Sequence, residues 1–156
     1  MECAQYLNHS SIILNLSGKT HDEVISELVD AISREGNGDR SNILKSVYTV
    51  EDIKNTAVGR GVAIPHGRTD SISRIRLAFG RSEHGVNWGS PDGHPVQIVW
   101  LVVNPSRQAD EYLRVLSQIT KISRRRDCRE AIMLAKNKAE IIRIVKECKS
   151  REKARV

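Results

Sequence analysis

The pattern of apolar and polar residues predicts several strands, and the most continuous apolar run, residues 96–103, predicts a strand that is buried on both faces. A strand of that kind needs helices packed on each side of its sheet. Residues 75–79 alternate between apolar and polar side chains, which is typical of a strand with one buried face. Residues 11–16 and 62–64 predict two further strands, and residues 85–88 predict a short edge strand.

Helical spacing predicts two helices before the histidine-containing middle of the chain. Thr20 and Glu23 form a capping box ahead of apolar residues at helical spacing. Gly36 is the predicted C-cap of this helix, and Asp39 is the predicted N-cap of the next. His21 lies in the first turn and is predicted to be solvated.

Three more helices are predicted after the buried strand. Asp110 and Glu111 favour a helix start because acidic residues complement the dipole, while Asp127 and Asn137 are predicted N-caps of the last two helices. Alternating strands and helices predict an α/β fold, a single-domain sandwich in which a mixed sheet of about five strands is flanked by helices on both faces. We expect residues 1–156 to form one domain, with a core near 8–148 and a basic tail at 149–156.

Composition fits a globular protein and restricts its partners. Apolar residues make up 39% of the 156 and aromatic residues only 4%, so we expect a core of mainly aliphatic side chains. The net charge of +6 is concentrated in residues 124–126 and 146–155, at predicted helix ends and in the tail. No basic stripe is interleaved with aromatic residues, so no nucleic-acid partner is predicted. A basic face suits an acidic protein partner, because it steers their encounter.

The location is predicted from the absence of two signals. No apolar run is long enough to span a bilayer, and the first residues lack the features of a signal peptide. We therefore expect a cytoplasmic protein without membrane insertion. Cys3, Cys128 and Cys148 are widely spaced, which predicts reduced thiols. Cys128 and Cys148 fall in helical patterns and are predicted to be packing residues.

A histidine follows one of the predicted strands. Gly59 and Gly61 permit a tight turn into the strand at 62–64, and Pro65 is predicted to end it. His66 is then expected where the backbone leaves the sheet, and Gly67 is expected to leave its ring uncrowded. A neutral imidazole has a nitrogen lone pair that can attack an electrophile.

The segment Gly59-Arg-Gly-Val-Ala-Ile-Pro-His-Gly67, followed by Asp92-Gly-His-Pro-Val96, resembles the enzyme IIA domains of the bacterial sugar phosphotransferase system. The similarity is to the fructose/mannitol class, which includes a nitrogen-regulatory branch, and spans roughly residues 8–148. It implies the same α/β sandwich. It also implies that His66 receives a phosphoryl group from a histidine phosphocarrier protein and passes it to a IIB domain or a regulatory target.

The chain departs from the family at two positions. The arginine of the family's Arg-Glu pair falls on Val50, and residues 41–59 contain no arginine. A second family histidine falls on Tyr112. Arg60, Arg68 and Tyr112 are the candidates to support a phosphate in their place.

No cofactor or metal is predicted. The chain lacks a phosphate-binding loop of the nucleotide-binding type, and His84 and His94 share no metal-ligand spacing with His66. The sequence also contains no predicted transporter segment, which fits the expectation of a stand-alone component.

Two hypotheses remain. The first is a phosphotransferase that works through a phosphohistidine at His66. The second is a binding module of the same fold that has lost phosphotransfer and acts by docking to a protein. Val50 and Tyr112 favour the second hypothesis.

Overall fold

The buried apolar run forms the central strand of a six-stranded mixed sheet. The computed structural model describes residues 2–33 and 40–154, with side chains up to Cys148. Gly36 and Asp39, the two predicted caps, lie outside the described residues. The strands are β1 (Ile12–Ile13), β2 (Ala57–Gly59), β3 (Val62–Ala63), β4 (His66–Arg68), β5 (Arg76–Val86) and β6 (Val96–Asn104).

Strand β6 organises the sheet because three strands pair with it. Their order is β1-β5-β6-β3-β2, and β4 also pairs with β6. Strand β5 is antiparallel to β6, whereas β3 and β4 are parallel to it. The α-helices are α1 (His21–Ser33), α2 (Arg40–Glu51), α3 (Ala109–Arg124), α4 (Arg126–Leu134) and α5 (Lys138–Ala154).

Side chains of β6 alternate between two hydrophobic cores, one on each face of the sheet. Trp100 and Val102 pack with α3, α4, α5 and the N-terminal segment. Leu101 and Val103 pack with α1 and α2 on the other face. The predicted α/β sandwich with helices on both faces is therefore confirmed.

The structure changes several of the predicted strands. Strand β5 is longer than predicted and includes the first half of the predicted edge strand, because Val86 still pairs with Val96 beyond an irregularity in the register. The predicted first strand is shorter and retains only β1. Strand β2 was not predicted, because its three residues are too few to show a period.

Two of the predicted helix starts are corrected in detail. Thr20 does accept a hydrogen bond from the Glu23 amide, but the Glu23 carboxylate accepts from Lys19 rather than from Thr20. Asp127 lies inside the first turn of α4, because Arg125 is the N-cap and also pairs with the Asp127 carboxylate.

The start of α5 agrees with the sequence. Asn137 accepts a hydrogen bond from the Glu140 amide, and the Glu140 carboxylate accepts one from the Lys136 amide. The side chain of Asn137 therefore caps this helix as predicted.

Two of the three cysteines differ from their prediction. Cys128 in α4 and Cys148 in α5 form a disulfide with Cα atoms 6.2 Å apart, whereas Cys3 is buried and takes no part in a disulfide. Sequence spacing did not indicate this pair, because α4 and α5 are brought together only by packing.

Within the described part of the chain, no helix is both long enough and apolar enough to cross a membrane.

Candidate functional site

Pro65 interrupts a strand without ending it. Strands β3 and β4 lie in line along β6, with Ala63 opposite Val99 and His66 opposite Val102. Proline has no amide donor, but its carbonyl accepts a hydrogen bond from the Val102 amide at 3.1 Å. The prediction that the backbone leaves the sheet at His66 is therefore wrong, since the parallel pairing resumes there.

The ring of His66 is held by the backbone two residues before it. Its Nδ1 lies 2.9 Å from the carbonyl oxygen of Ile64. A carbonyl only accepts hydrogen bonds, so Nδ1 must carry the proton and donate it. In the neutral ring, Nε2 then carries the lone pair. The half-buried imidazole is thus fixed with its nucleophilic nitrogen remote from the backbone.

Gly67 allows helix α2 to approach β4 closely. A Cβ atom at this position would lie 2.3 Å from Ser46 Oγ and 2.9 Å from the backbone nitrogen of Val47. The glycine therefore makes room for a helix on the face of β4 opposite to His66, which differs from the predicted role of leaving the imidazole uncrowded.

Arg68 and Tyr112 lie close to His66. Alternation along β4 directs Arg68 to the same face as His66. Tyr112, in the first turns of α3, has its ring centroid 6.3 Å from that of His66. Burial raises the pKa of Tyr112 to about 12, although the positive charge of Arg68 acts in the opposite direction. The Tyr112 hydroxyl is therefore protonated at neutral pH and can donate a hydrogen bond.

Arg60 points to a different part of the molecule. Its guanidinium donates to the carbonyl of Arg124, at 3.1 Å, at the C-terminal end of α3. Tyr112 lies near the other end of that helix, about 18 Å away at the usual rise per residue. The structure therefore brings Arg68 and Tyr112 to His66 but not Arg60.

The second part of the sequence motif, at residues 92–96, shapes the turn at Arg60. Arg60 has a φ of 59°, and its amide donates to the Asp92 carboxylate at 2.7 Å. Hydrogen bonds from the amides of Arg60 and His94 lower the pKa of Asp92 to about 2. Asp92 therefore remains ionised and connects the loop before β6 to the turn before β3.

A polar network that the sequence did not indicate lies next to the backbone that precedes His66. His21 Nε2 lies 2.8 Å from the Glu51 carboxylate, whose side chain is only 4% exposed. Thr56 donates to Glu51 and accepts from the Trp88 indole at 3.3 Å. The prediction that His21 is solvated is wrong, because these partners come from separate segments that only the folded chain brings together.

The network connects to the backbone that holds His66. The carbonyl of Thr56 accepts a hydrogen bond from the amide of Ile64 at 2.9 Å. Ile64 in turn supplies the carbonyl that holds the imidazole. The hydrogen bond to Glu51 raises the pKa of His21 above its ordinary value of 6.5, more than burial lowers it.

Comparison with known families identifies the class of protein to which this fold belongs. Residues 5–148 match the family model described as "Phosphoenolpyruvate-dependent sugar phosphotransferase system, EIIA 2". The chain belongs to this family.

The relatives include both a fructose-specific transport component and a nitrogen regulatory protein. The chain is 30% identical over 148 residues to the fructose-specific EIIABC component of Bacillus subtilis, covering 94% of this chain and 23% of that protein. It thus spans less than a quarter of the Bacillus relative. It is also 25% identical over 142 residues to a nitrogen regulatory protein of Pseudomonas aeruginosa, covering 90% and 92% of the two chains.

Solved structures show the same architecture. The crystal structure of nitrogen regulatory protein IIA-Ntr from Neisseria meningitidis aligns with a TM-score of 0.86 and 27% identity, covering 91% of this chain and 97% of that one. The IIA mannitol domain of Escherichia coli, solved in complex with a phosphorylated IIB domain, aligns with a TM-score of 0.77, covering 90% and 97% of the two chains. At 17% identity, this second match shows the fold alone.

Proposed function

We propose that this protein is a cytoplasmic phosphoryl carrier in which Nε2 of His66 accepts a phosphoryl group from the phosphohistidine of a carrier protein. The observation that carries the proposal is the hydrogen bond from Nδ1 to the Ile64 carbonyl, which leaves the lone pair on Nε2. Membership of the EIIA family supports it, because the histidine motif lies within the matched residues.

The proposed transfer needs no cofactor, because one nitrogen–phosphorus bond forms as another breaks. The Nε2 lone pair attacks phosphorus, and the bond between phosphorus and the donor's ring nitrogen breaks. The electron pair of that bond returns to the donor imidazole, while the proton of His66 stays on Nδ1 and remains hydrogen-bonded to the Ile64 carbonyl. The donor's own high-energy bond supplies the driving force.

Arg68 and Tyr112 are proposed to stabilise the transferred group. Arg68 supplies positive charge on the same face as His66, and the protonated Tyr112 hydroxyl supplies a donor. Hydrogen bonds from a charged group contribute on the order of 1.5 to 3 kcal/mol each. We propose that these side chains replace the arginine and histidine that the family resemblance placed at Val50 and Tyr112.

The proposed acceptor is a IIB domain or a regulatory target. The Escherichia coli complex contains a phosphorylated IIB domain, which supports the first acceptor. The nitrogen regulatory relatives support the second, in which the phosphoryl group serves as a signal.

A second candidate function is a docking module without phosphotransfer. Val50, which lies on α2 where the family has an arginine, is the observation that favours it. In such a module His66 would not become labelled.

Incubation with a phosphorylated histidine phosphocarrier protein separates these functions. We expect an acid-labile, base-stable gain of one phosphoryl group, detected by intact mass, that His66→Ala abolishes. His84→Ala is the matched control, since His84 is exposed on β5 and outside the site. Absence of label in the wild type, or label that persists in His66→Ala, contradicts the proposal.

A further inference from the structure

A groove at the other end of α3 contains several arginines. Adjoining cavities of about 440 and 570 Å³ share Arg60 in their walls. Arg126 and Arg129 of α4 line the first cavity, and Ser123 and Arg124 of α3 line the second. We call these cavities together the arginine groove. Their size is that of small-molecule sites in proteins.

The end of α3 holds the guanidinium groups in place. Arg60 donates to the carbonyl of Arg124 at 3.1 Å, and Arg129 donates to the carbonyl of Ser123 at 2.8 Å. The C-terminal end of a helix attracts cations through its partial negative charge. Each carbonyl takes one of the several N–H donors that a guanidinium carries, so the anchored side chains keep donors for a ligand.

Positive charge in the groove exceeds the negative charge beside it. Glu130 is the acidic residue in the walls of the first cavity, and it pairs with Arg126 at 2.8 Å. Burial lowers the pKa of Arg129, and the positive charges of Arg60 and Arg126 lower it further. Converging like charges repel each other, so an anion between them relieves the repulsion.

Arg125 provides a contrast within the same segment. Its guanidinium is neutralised by Asp127 at 2.8 Å and also donates to the carbonyl of Cys148. This arginine links the start of α4 to α5, and it does not line either cavity. Arg126 also has an acidic partner, so the excess of positive charge in the first cavity comes from its three arginines facing a single glutamate.

The groove also has an apolar side and a buried hydroxyl. Ile98, Met133 and Leu134 line the first cavity, and Leu134 is 79% exposed. Among the described residues, the buried Ser123 hydroxyl has no hydrogen-bond partner. A ligand with both an anionic and an apolar part would match these walls.

We propose that the arginine groove binds a small organic phosphate, in which the phosphate contacts Arg60, Arg126 and Arg129 and an apolar or aromatic group packs on Met133 and Leu134. A nucleoside monophosphate has this chemistry and fits the volume. The site is separate from His66, because the two lie at opposite ends of α3. Binding there goes beyond phosphoryl transfer and gives the protein a second ligand.

Calorimetric titration with adenosine monophosphate, adenosine and inorganic phosphate tests the proposal. We expect saturable binding of the monophosphate, with affinity at least about tenfold lower for either adenosine or inorganic phosphate. Arg126→Gln should weaken monophosphate binding about tenfold, because it removes one charged contact to the phosphate. The fold should be unaffected, since the Arg126 side chain is exposed. Arg129→Gln tests the same expectation, and the urea midpoint of this variant shows whether it is folded.

Arg143→Gln is the matched control. Arg143 is an exposed helix arginine that pairs with a glutamate four residues away, as Arg126 does, but it lies on α5 outside the groove. It should bind the monophosphate like the wild type. The proposal is overturned if the wild type shows no saturable binding at millimolar monophosphate, or if Arg126→Gln and Arg143→Gln bind it equally well. Equal binding of adenosine would also overturn it, because the phosphate would then contribute nothing.

Discussion

The chemistry of the site depends on one residue and one backbone oxygen. His66 is held by the Ile64 carbonyl, which decides the ring nitrogen that carries the lone pair. A backbone acceptor is suited to this task because it does not titrate near neutral pH. The tautomer therefore does not depend on another side chain.

Tyr112→Phe tests the donor beside this ring. The variant removes the hydroxyl but keeps the buried ring, so the fold should be unchanged. We expect the rate of His66 labelling by the phosphorylated carrier protein to fall about tenfold, which corresponds to one lost hydrogen bond of about 1.4 kcal/mol. Leu113→Ala controls for effects of this surface on carrier docking, since Leu113 is 61% exposed. A Tyr112→Phe rate equal to that of the wild type would remove the hydroxyl from the mechanism.

The raised pKa of His21 makes the stability depend on pH. Protonation favours the folded state, so the contribution is complete below the ordinary value of 6.5 and is lost as the pH rises through the folded pKa. In urea titrations, the wild type should lose free energy of unfolding over this range relative to His21→Gln. His84→Gln, at an exposed position, should follow the wild type. A constant difference between wild type and His21→Gln across this pH range would contradict the expectation.

Close packing between elements also positions the site. Helix α2 packs on β4 at Gly67, directly behind His66. A helix can approach a strand this closely only where no side chain intervenes.

Gly67→Ala should disturb both stability and labelling. Its Cβ would meet backbone atoms of α2, so a side-chain movement cannot relieve the contact. We expect a loss of about 1 to 3 kcal/mol in the free energy of unfolding and slower labelling of His66. Gly93→Ala is the control, because no atom lies within 4 Å of its Cβ, although its φ of +74° costs about 1 kcal/mol. Gly93→Ala should be labelled at the wild-type rate, and equal labelling of Gly67→Ala would contradict the positional role.

Local patterns predicted the elements better than their connections. The central strand was predictable because a continuous apolar run rich in β-branched residues is typical of a buried strand. The helix cap at Asn137 was predictable because its hydrogen bonds form within one turn. The continuation of the strand beyond Pro65 could not be predicted. A proline ends most strands, and only the pairing with β6 shows that this one resumes. His66 was predicted as the site residue from its motif. The contacts of His21 and Arg60 could not be predicted, since their partners are distant in sequence.

At the scale of the molecule, the disulfide joins the last two helices of one layer. Cys128 and Cys148 are 20 residues apart, and a loop of that length contributes about 3 kcal/mol by restricting the unfolded chain. Reductant should therefore lower the urea midpoint of the wild type. Cys128→Ser should be insensitive to reductant, whereas Cys3→Ser should respond as the wild type does. If thiol labelling of the unreduced, urea-unfolded wild type finds all three cysteines reactive, the bond does not form.

The carrier function proposed for His66 requires release of the accepted group, and the hydrogen bond to the Ile64 carbonyl would affect that step as well. Once Nε2 holds phosphorus, the proton retained on Nδ1 leaves the ring positively charged. A ring in that state departs from phosphorus as a neutral imidazole, which is a good leaving group. In the proposed carrier, the hydrogen bond that prepares the nucleophile would therefore also keep the phosphorylated protein reactive, and delivery to the next protein would need no separate proton source.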